Sequence, residues 1–422
     1  MNANTVIHSC DEMDTDMDTE TGKTYEPMQR KQRRPEPRRK GHSGSAGGGM
    51  HCRSNKSHTW GTGAGARLAN LRAFAGAVAL VLFALLSPAS ADNFTWQQVG
   101  SIGNAPNTVT GLGRVTTNYK ISAYDTTISQ YVDFLNGSDA GKQGLYGVYN
   151  NSIGKTPGNT ASAISRSGSA GNYSYSLSNS DFANKPVNYV NWFSAARFVN
   201  WYANDKSASA TATETGSYTL NGQTTGSIVA RNANAQIFLP SADEWTKAAF
   251  YNAAAQNYYL WPTTSNSTPT AVVPTGNESV TAANTANYRS AEAVIGELKM
   301  TNVGTYVNTK STYGLFDMLG NVTQMTDTSG TGADAGKFQA FGGSYATKAT
   351  DIDLWNSNST GEFKVGAPSA TEGLGTNTVG FRVAAVAVPE PGNMAAAAMG
   401  IGGLFGFQIM KRRKLALARA AG

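Results

Sequence analysis

Cysteine and histidine are almost missing from this chain of 422 residues, which has 2 of the first and 4 of the second. All of them (His8, Cys10, His42, His51, Cys52 and His58) stand before residue 60. From Asp92 onward there is no thiol and no imidazole. That absence excludes Ser–His or Cys nucleophilic machinery, zinc on its usual ligands and histidine-ligated iron from this part. It also excludes disulfides there, so stability must come from packing or bound ions. Only carboxylate, carbonyl, hydroxyl, phenol, Lys and Arg chemistry remains.

Charge is also scarce, at 15% of residues. The net charge is +6, but the ends carry the surplus. Between Asp92 and Val388 there are 17 Lys and Arg against 19 Asp and Glu. The basic balance is therefore no argument for nucleic-acid binding by that stretch. What is present suffices for a core: 40% apolar residues, 10% aromatic, 7 tryptophans. The length suggests one large or two small folded units.

Several segments read as addresses. Residues 1–66 form a polar extension with an acidic run (Asp11 to Glu20), a basic run (Arg30 to Lys40) and Gly/Ser. Two readings stay open for it: a basic binding tail, or a true translation start further on, for instance at Met50. Residues 67–91 have the layout of a signal peptide. Arg67 and Arg72 precede the apolar run Ala73 to Leu86, and Ala89-Ser90-Ala91 is a small-x-small cleavage site. Export is thus expected, with cleavage before Asp92. At the other end, Val388-Pro389-Glu390-Pro391 precedes an apolar stretch, Met394 to Met410, and the basic cluster Lys411-Arg412-Arg413-Lys414. The stretch is a marginal membrane span, and its basic end would stay cytoplasmic. Residues 388–414 resemble the PEP-CTERM sorting signal of Gram-negative bacteria. That resemblance implies tethering in the inner membrane through 394–410 and cutting by an exosortase. The product would then be released or attached at the cell surface, often with extracellular polysaccharide.

Residues 92–387 show no repeat. Three helices are legible. Thr127-x-x-Gln130 is a capping box, followed by Ile128, Tyr131, Val132 and Leu135 on one face. A second helix starts near Asn191 and carries Trp192, Ala195, Ala196, Val199 and Tyr202, widened by Phe198 and Trp201. A third has the box Ser241-x-x-Glu244 and buries Trp245, Ala248 and Ala249. Strands are expected at 98–102, 236–239, 338–341 and 379–386. Residues 139–183 and 205–232, rich in Ser, Thr, Asn and Gly, read as surface insertions.

Five motifs in order carry a family resemblance. They are Pro186-Val187-Asn188-Tyr189-Val190-Asn191-Trp192; Phe238-Leu239-Pro240-Ser241 with Glu244-Trp245 and Ala248-Ala249; Tyr313-Gly314-Leu315-Phe316-Asp317-Met318-Leu319-Gly320-Asn321-Val322; Gly342-Gly343-Ser344-Tyr345; and Gly380-Phe381-Arg382. Together they resemble the sulfatase-modifying factor, or formylglycine-generating enzyme, domain. The resemblance implies an α+β, C-type-lectin-like fold with short twisted sheets, few helices and much loop. It also implies an oxidase in which two cysteines bind copper. The matching positions here are Thr347 and Ile352, and neither side chain supplies a thiolate for soft copper(I). A related iron-dependent branch needs histidines that this part lacks. No copper or iron is therefore expected, and no catalytic residue is assigned.

The resemblance also implies calcium. One family site matches the Asp317 side chain, the Gly320 and Val322 carbonyls and the Gln324 side chain. The family's last ligand is acidic, so Gln324 removes a negative charge. On the residues alone, Asp317 reads equally as a turn cap. A second site begins at Asn287 and the Tyr288 carbonyl, with Glu292 or Glu297 as further candidates. Tyr345, Trp355 and Arg382 are expected at a binding surface, although Arg382 reads better as a structural guanidinium. Trp192, Trp201 and Trp245 are expected in the core. The first functional expectation is an exported non-catalytic binding or structural module of the envelope or matrix, with a polysaccharide or envelope protein as partner. The alternatives are the family's oxidase activity and a carboxylate hydrolase using residues such as Asp351 and Asp353.

Overall fold

The computed structural model describes residues 94–274, 276–348, 364–366 and 378–387. The leader segments, the sorting signal with its 394–410 stretch, and Asp351, Ile352, Asp353 and Trp355 lie outside the described residues. Among the described residues no helix is long and apolar enough to cross a membrane.

Helix α1 (Ile128–Gly137) starts where Thr127 accepts from Gln130 N through Oγ1 at 3.2 Å and donates its own N–H to Gln130 Oε1 at 2.9 Å. It buries Ile128, Tyr131, Phe134 and Leu135. Phe134 takes the core place expected of Val132, which is only half-buried. Ser138 ends α1 and caps the short α2 (Asp139–Gln143), which the sequence did not announce. Helix α3 (Trp192–Ala203) is capped by Asn191, and α4 (Ala242–Phe250) by the Ser241/Glu244 box. Trp192, Trp201 and Trp245 are all buried, as their helical spacing predicts.

Two four-stranded sheets hold the core. The first has the order β1-β2-β14-β5 and is antiparallel throughout: Trp96–Val99, Tyr119–Ser122, Ala384–Val386 and Ile237–Phe238. The second has the order β12-β11-β10-β13: Lys364–Gly366, Phe338–Phe341, Thr323–Ser329 and Val379–Phe381. Its β10–β13 pair is parallel and the others antiparallel. The segment expected as one strand, 379–386, is thus two strands in different sheets, parted at Arg382–Val383. The strand expected at 98–102 ends at Val99, because Ser101 takes a left-handed turn conformation with φ of 58°. Two-stranded ladders complete the fold: β3–β4 (Ile164–Ser167, Ser174–Leu177), β6–β7 (Tyr251–Asn252, Asn257–Tyr258) and β8–β9 (Thr270–Ala271, Thr285–Ala286).

The core between these elements is aromatic. Phe198 of α3 meets Tyr131, Phe134 and Phe381, and Trp245 stacks on Phe341 at 5.1 Å. The long polar segments are not mere surface loops. Tyr218 and Leu220 are buried, and so are Ile153, Ile164, Tyr175 and Phe182. Asn200, on α3, donates to the carbonyls of Thr213 (3.0 Å) and Tyr218 (2.8 Å) and accepts from Tyr218 N at 2.8 Å. Arg197, one turn earlier, pairs with Glu214 at 2.6 Å. Side chains of a helix thus satisfy the backbone of a loop that has little secondary structure of its own.

Candidate functional site

The break between β13 and β14 places Arg382 where both sheets meet. Its side chain is fully buried. Nε donates to Gln324 Oε1 at 2.6 Å, Nη1 to the Ser122 carbonyl at 2.9 Å, and Nη2 to Asp125 Oδ1 at 3.1 Å and the Phe316 carbonyl at 2.8 Å. A guanidinium spent in this way clamps strands and turns and has nothing left for a ligand. Arg382 is therefore structural, and its expected place on a binding surface is corrected. Asp125, its ion-pair partner, was not singled out from sequence. Its only signal was a carboxylate two residues before a helix cap. Burial pushes the Asp125 carboxyl well above its ordinary value, Arg382 works against this, and nearby Asp317 adds to the rise.

Gln324 shares the hub. Its Oε1 accepts from both Arg382 Nε and Trp245 Nε1, each at 2.6 Å. Two donors on that side fix the amide's orientation. Nε2 must then face the Asp317 carbonyl, to which it donates at 2.7 Å. Asp317 stands in a left-handed turn (φ 54°), and its Oδ2 accepts from Gly304 N at 2.6 Å. Burial pushes its carboxyl up to about 6, against the opposing Gly304 hydrogen bond and the Arg382 charge. The sequence-derived set of Asp317, Gly320, Val322 and Gln324 lies along this turn, with the Gln324 side chain on the Asp317 carbonyl. It does not fit a cation, however, because the Gln324 atom on the turn side is an N–H donor.

Asn287 lies against the same turn. Gly320 is left-handed (φ 77°), and a Cβ there would stand 2.1 Å from the Asn287 carbonyl oxygen, so only glycine permits the approach. Asn321 N donates to that carbonyl at 2.8 Å. Asn287 Nδ2 donates to the Lys299 carbonyl at 3.0 Å, but Oδ1 is buried without a hydrogen-bond partner. Thr301 Oγ1, in the segment joined to Asn321 by hydrogen bonds, is also unpartnered. A buried oxygen with no donor is compatible with a hard cation. Glu292 and Glu297 are exposed. Among the described residues no group of three or more His, Cys, Asp or Glu could hold a metal.

The position matched to the first copper cysteine is Thr347. Its Oγ1 accepts from Ser344 N at 2.9 Å and lies 3.1 Å from Ser344 Oγ. Its carbonyl accepts from Arg289 N at 3.0 Å. The hydroxyl therefore closes a turn, and an alcohol in that place does not fit copper(I). Ile352 lies outside the described residues, as does Trp355. Tyr345 is fully buried beside Leu298, Met300 and Val322. Its expected exposure is thus corrected: the ring fills a small apolar cluster behind the Asn321 turn.

A protein family described as the sulfatase-modifying factor enzyme 1-like domain matches residues 101–387. Among solved structures, one described as the crystal structure of CarF is 18% identical, with 70% of this chain and 99% of that chain covered and a TM-score of 0.44. Treponema denticola variable protein 1 is 17% identical, with 70% and 95% covered and a TM-score of 0.37. No curated protein matches the sequence.

Proposed function

Because the chain belongs to the family of sulfatase-modifying factor enzyme 1-like domains, we propose that it is a non-catalytic member, exported and used as a binding or structural module of the cell envelope or extracellular matrix. The observation that carries this reading is Thr347. A turn-closing hydroxyl stands where the family's chemistry needs a thiolate, and the chain has no Cys or His from Asp92 onward. The α+β fold, with few helices and short sheets, is kept. The donor set for a redox metal is not.

Export through residues 67–91, tethering through 394–410 and exosortase processing near Val388 belong to the same proposal. Display at the surface beside a polysaccharide or an envelope protein would follow. Calcium is proposed at the Asn287 side of the Gly320 turn, where Asn287 Oδ1 and the Tyr288 carbonyl would hold it. There it would supply rigidity, not chemistry. The test is a formylglycine assay. The protein trimmed to begin at Asp92 is incubated with copper and a sulfatase-type cysteine peptide, and peptide mass is followed. No conversion is expected. Conversion to the aldehyde would replace this reading with the family's oxidase activity.

A further inference from the structure

The β3–β4 hairpin and the short helix α2 carry a small basic patch set on tyrosines. Arg166 of β3 is exposed, and its guanidinium lies over the rings of Tyr149 at 4.8 Å and Tyr173 at 4.3 Å. Tyr175, opposite Arg166 across the ladder, is buried beside both rings. The rings are themselves fixed. Tyr149 donates to the Ile164 carbonyl at 3.2 Å and Tyr175 to the Gly141 carbonyl at 2.8 Å. Gly144, left-handed at φ 68°, lets Tyr173 settle on the end of α2, since a Cβ there would stand 2.8 Å from the ring.

What this arginine lacks is an anionic acceptor. The ion pairs among the described residues use Arg197, Arg231, Arg382 and Lys337, and Arg166 is in none of them. Burial pushes the Tyr175 phenol up, with Arg166 working against the rise, so that phenol stays neutral and brings no counter-charge. A neutral phenol can occupy only part of the guanidinium's fork of donors. The ring contacts hold the fork in place without spending its N–H groups. Lys142 of α2 stands beside the hairpin end, because its carbonyl accepts from Gly171 N at 3.0 Å and Tyr173 N at 3.2 Å. Asp139 opens the same helix and forms an ion pair with neither cation.

We propose that this patch binds the carboxylate of a uronic-acid unit in an acidic polysaccharide. The carboxylate lies in the plane of the Arg166 guanidinium and accepts parallel N–H bonds from its open edge. A uronate bears that carboxylate directly on the sugar ring, so the ring comes to rest against the half-buried Tyr149 or Tyr173. The carboxylates of an acidic peptide bring no such ring. A neighbouring uronate meets Lys142. The proposal rests on the binding-module reading and deepens it by naming a ligand. Its test measures binding and not turnover, so either can fail alone.

The experiment is calorimetric titration of the full chain in detergent with an oligogalacturonate, its methyl ester and an oligoglutamate of equal length. The oligogalacturonate is expected to bind saturably and about tenfold more tightly than either of the others. Arg166→Lys keeps the positive charge but loses the planar fork, so affinity should fall about tenfold. Tyr173→Leu, which removes one flanking ring, should also weaken binding. Lys310→Met removes a cation that lies over Phe316 in another loop, and should leave affinity unchanged. Four results would overturn the proposal: no saturable binding of the oligogalacturonate, ester or oligoglutamate bound as tightly, affinity unchanged in both Arg166→Lys and Tyr173→Leu, or a loss in Lys310→Met equal to that in Arg166→Lys.

Discussion

Gln324 donates from Nε2 to the Asp317 carbonyl and accepts from Trp245 and Arg382 through Oε1. A glutamate there would turn its second oxygen toward that carbonyl, and only a cation between them would relieve the repulsion. Gln324→Glu is therefore expected to lose about 1–3 kcal/mol without calcium, and to gain more thermal stability on calcium addition than the parent does. Unfolding curves with calcium and with a chelator check this. Arg382→Met leaves Asp125 buried without its counter-charge, and about 3–5 kcal/mol should be lost, read as a lower denaturant midpoint. Asp317 has a sign of its own. Its folded pKa, about 6, lies above its ordinary 3.8. The folded state then binds more protons than the unfolded one between those values, so stability falls as pH rises through that window. Asp317→Asn should flatten the slope between about pH 4 and 6, measured by denaturant unfolding across that range with a chelator present.

Among the elements, helices were more legible than strands. Capping boxes at Thr127 and Ser241 act within three residues, so sequence alone carries them, and α1, α3 and α4 stand where their apolar spacing puts them. Most strands are two to four residues long, too short for alternation to register. The division of 379–386 depends on Arg382 reaching carbonyls more than 250 residues away, which no local pattern reports. Tyr345 read as exposed because the sequence does not show Leu298 and Met300 packed against it. The turn at Asp317 was legible as a turn. What fills it was not, because the orientation of the Gln324 amide is set by Trp245 from another element. The polar segment 205–232 looked detachable, yet Asn200 on α3 fastens it. Asn200→Ala strands the Tyr218 N–H and two carbonyls, and should cost roughly 2–4 kcal/mol at about 1–3 per unmade buried bond, offset by water. Limited proteolysis should then cut first within 205–232, while the parent resists.

For the whole molecule, the proposal is that the family architecture is kept without the family chemistry. The core, both sheets and the Arg382 hub are assembled from residues 94–387 without a thiol or an imidazole. Among the described residues, Thr347, matched to one of the family's copper cysteines, has a hydroxyl that closes a turn. On the function proposed above, the fold serves as a scaffold of polar loops around an aromatic interior, used for binding. The most direct test of this claim is oxygen uptake by the protein beginning at Asp92, loaded with copper(I) and given a cysteine peptide in excess. Uptake no faster than that of copper with peptide alone is the expected result, with copper lost on gel filtration. Sustained uptake above that background, with one copper retained per chain, would contradict the account.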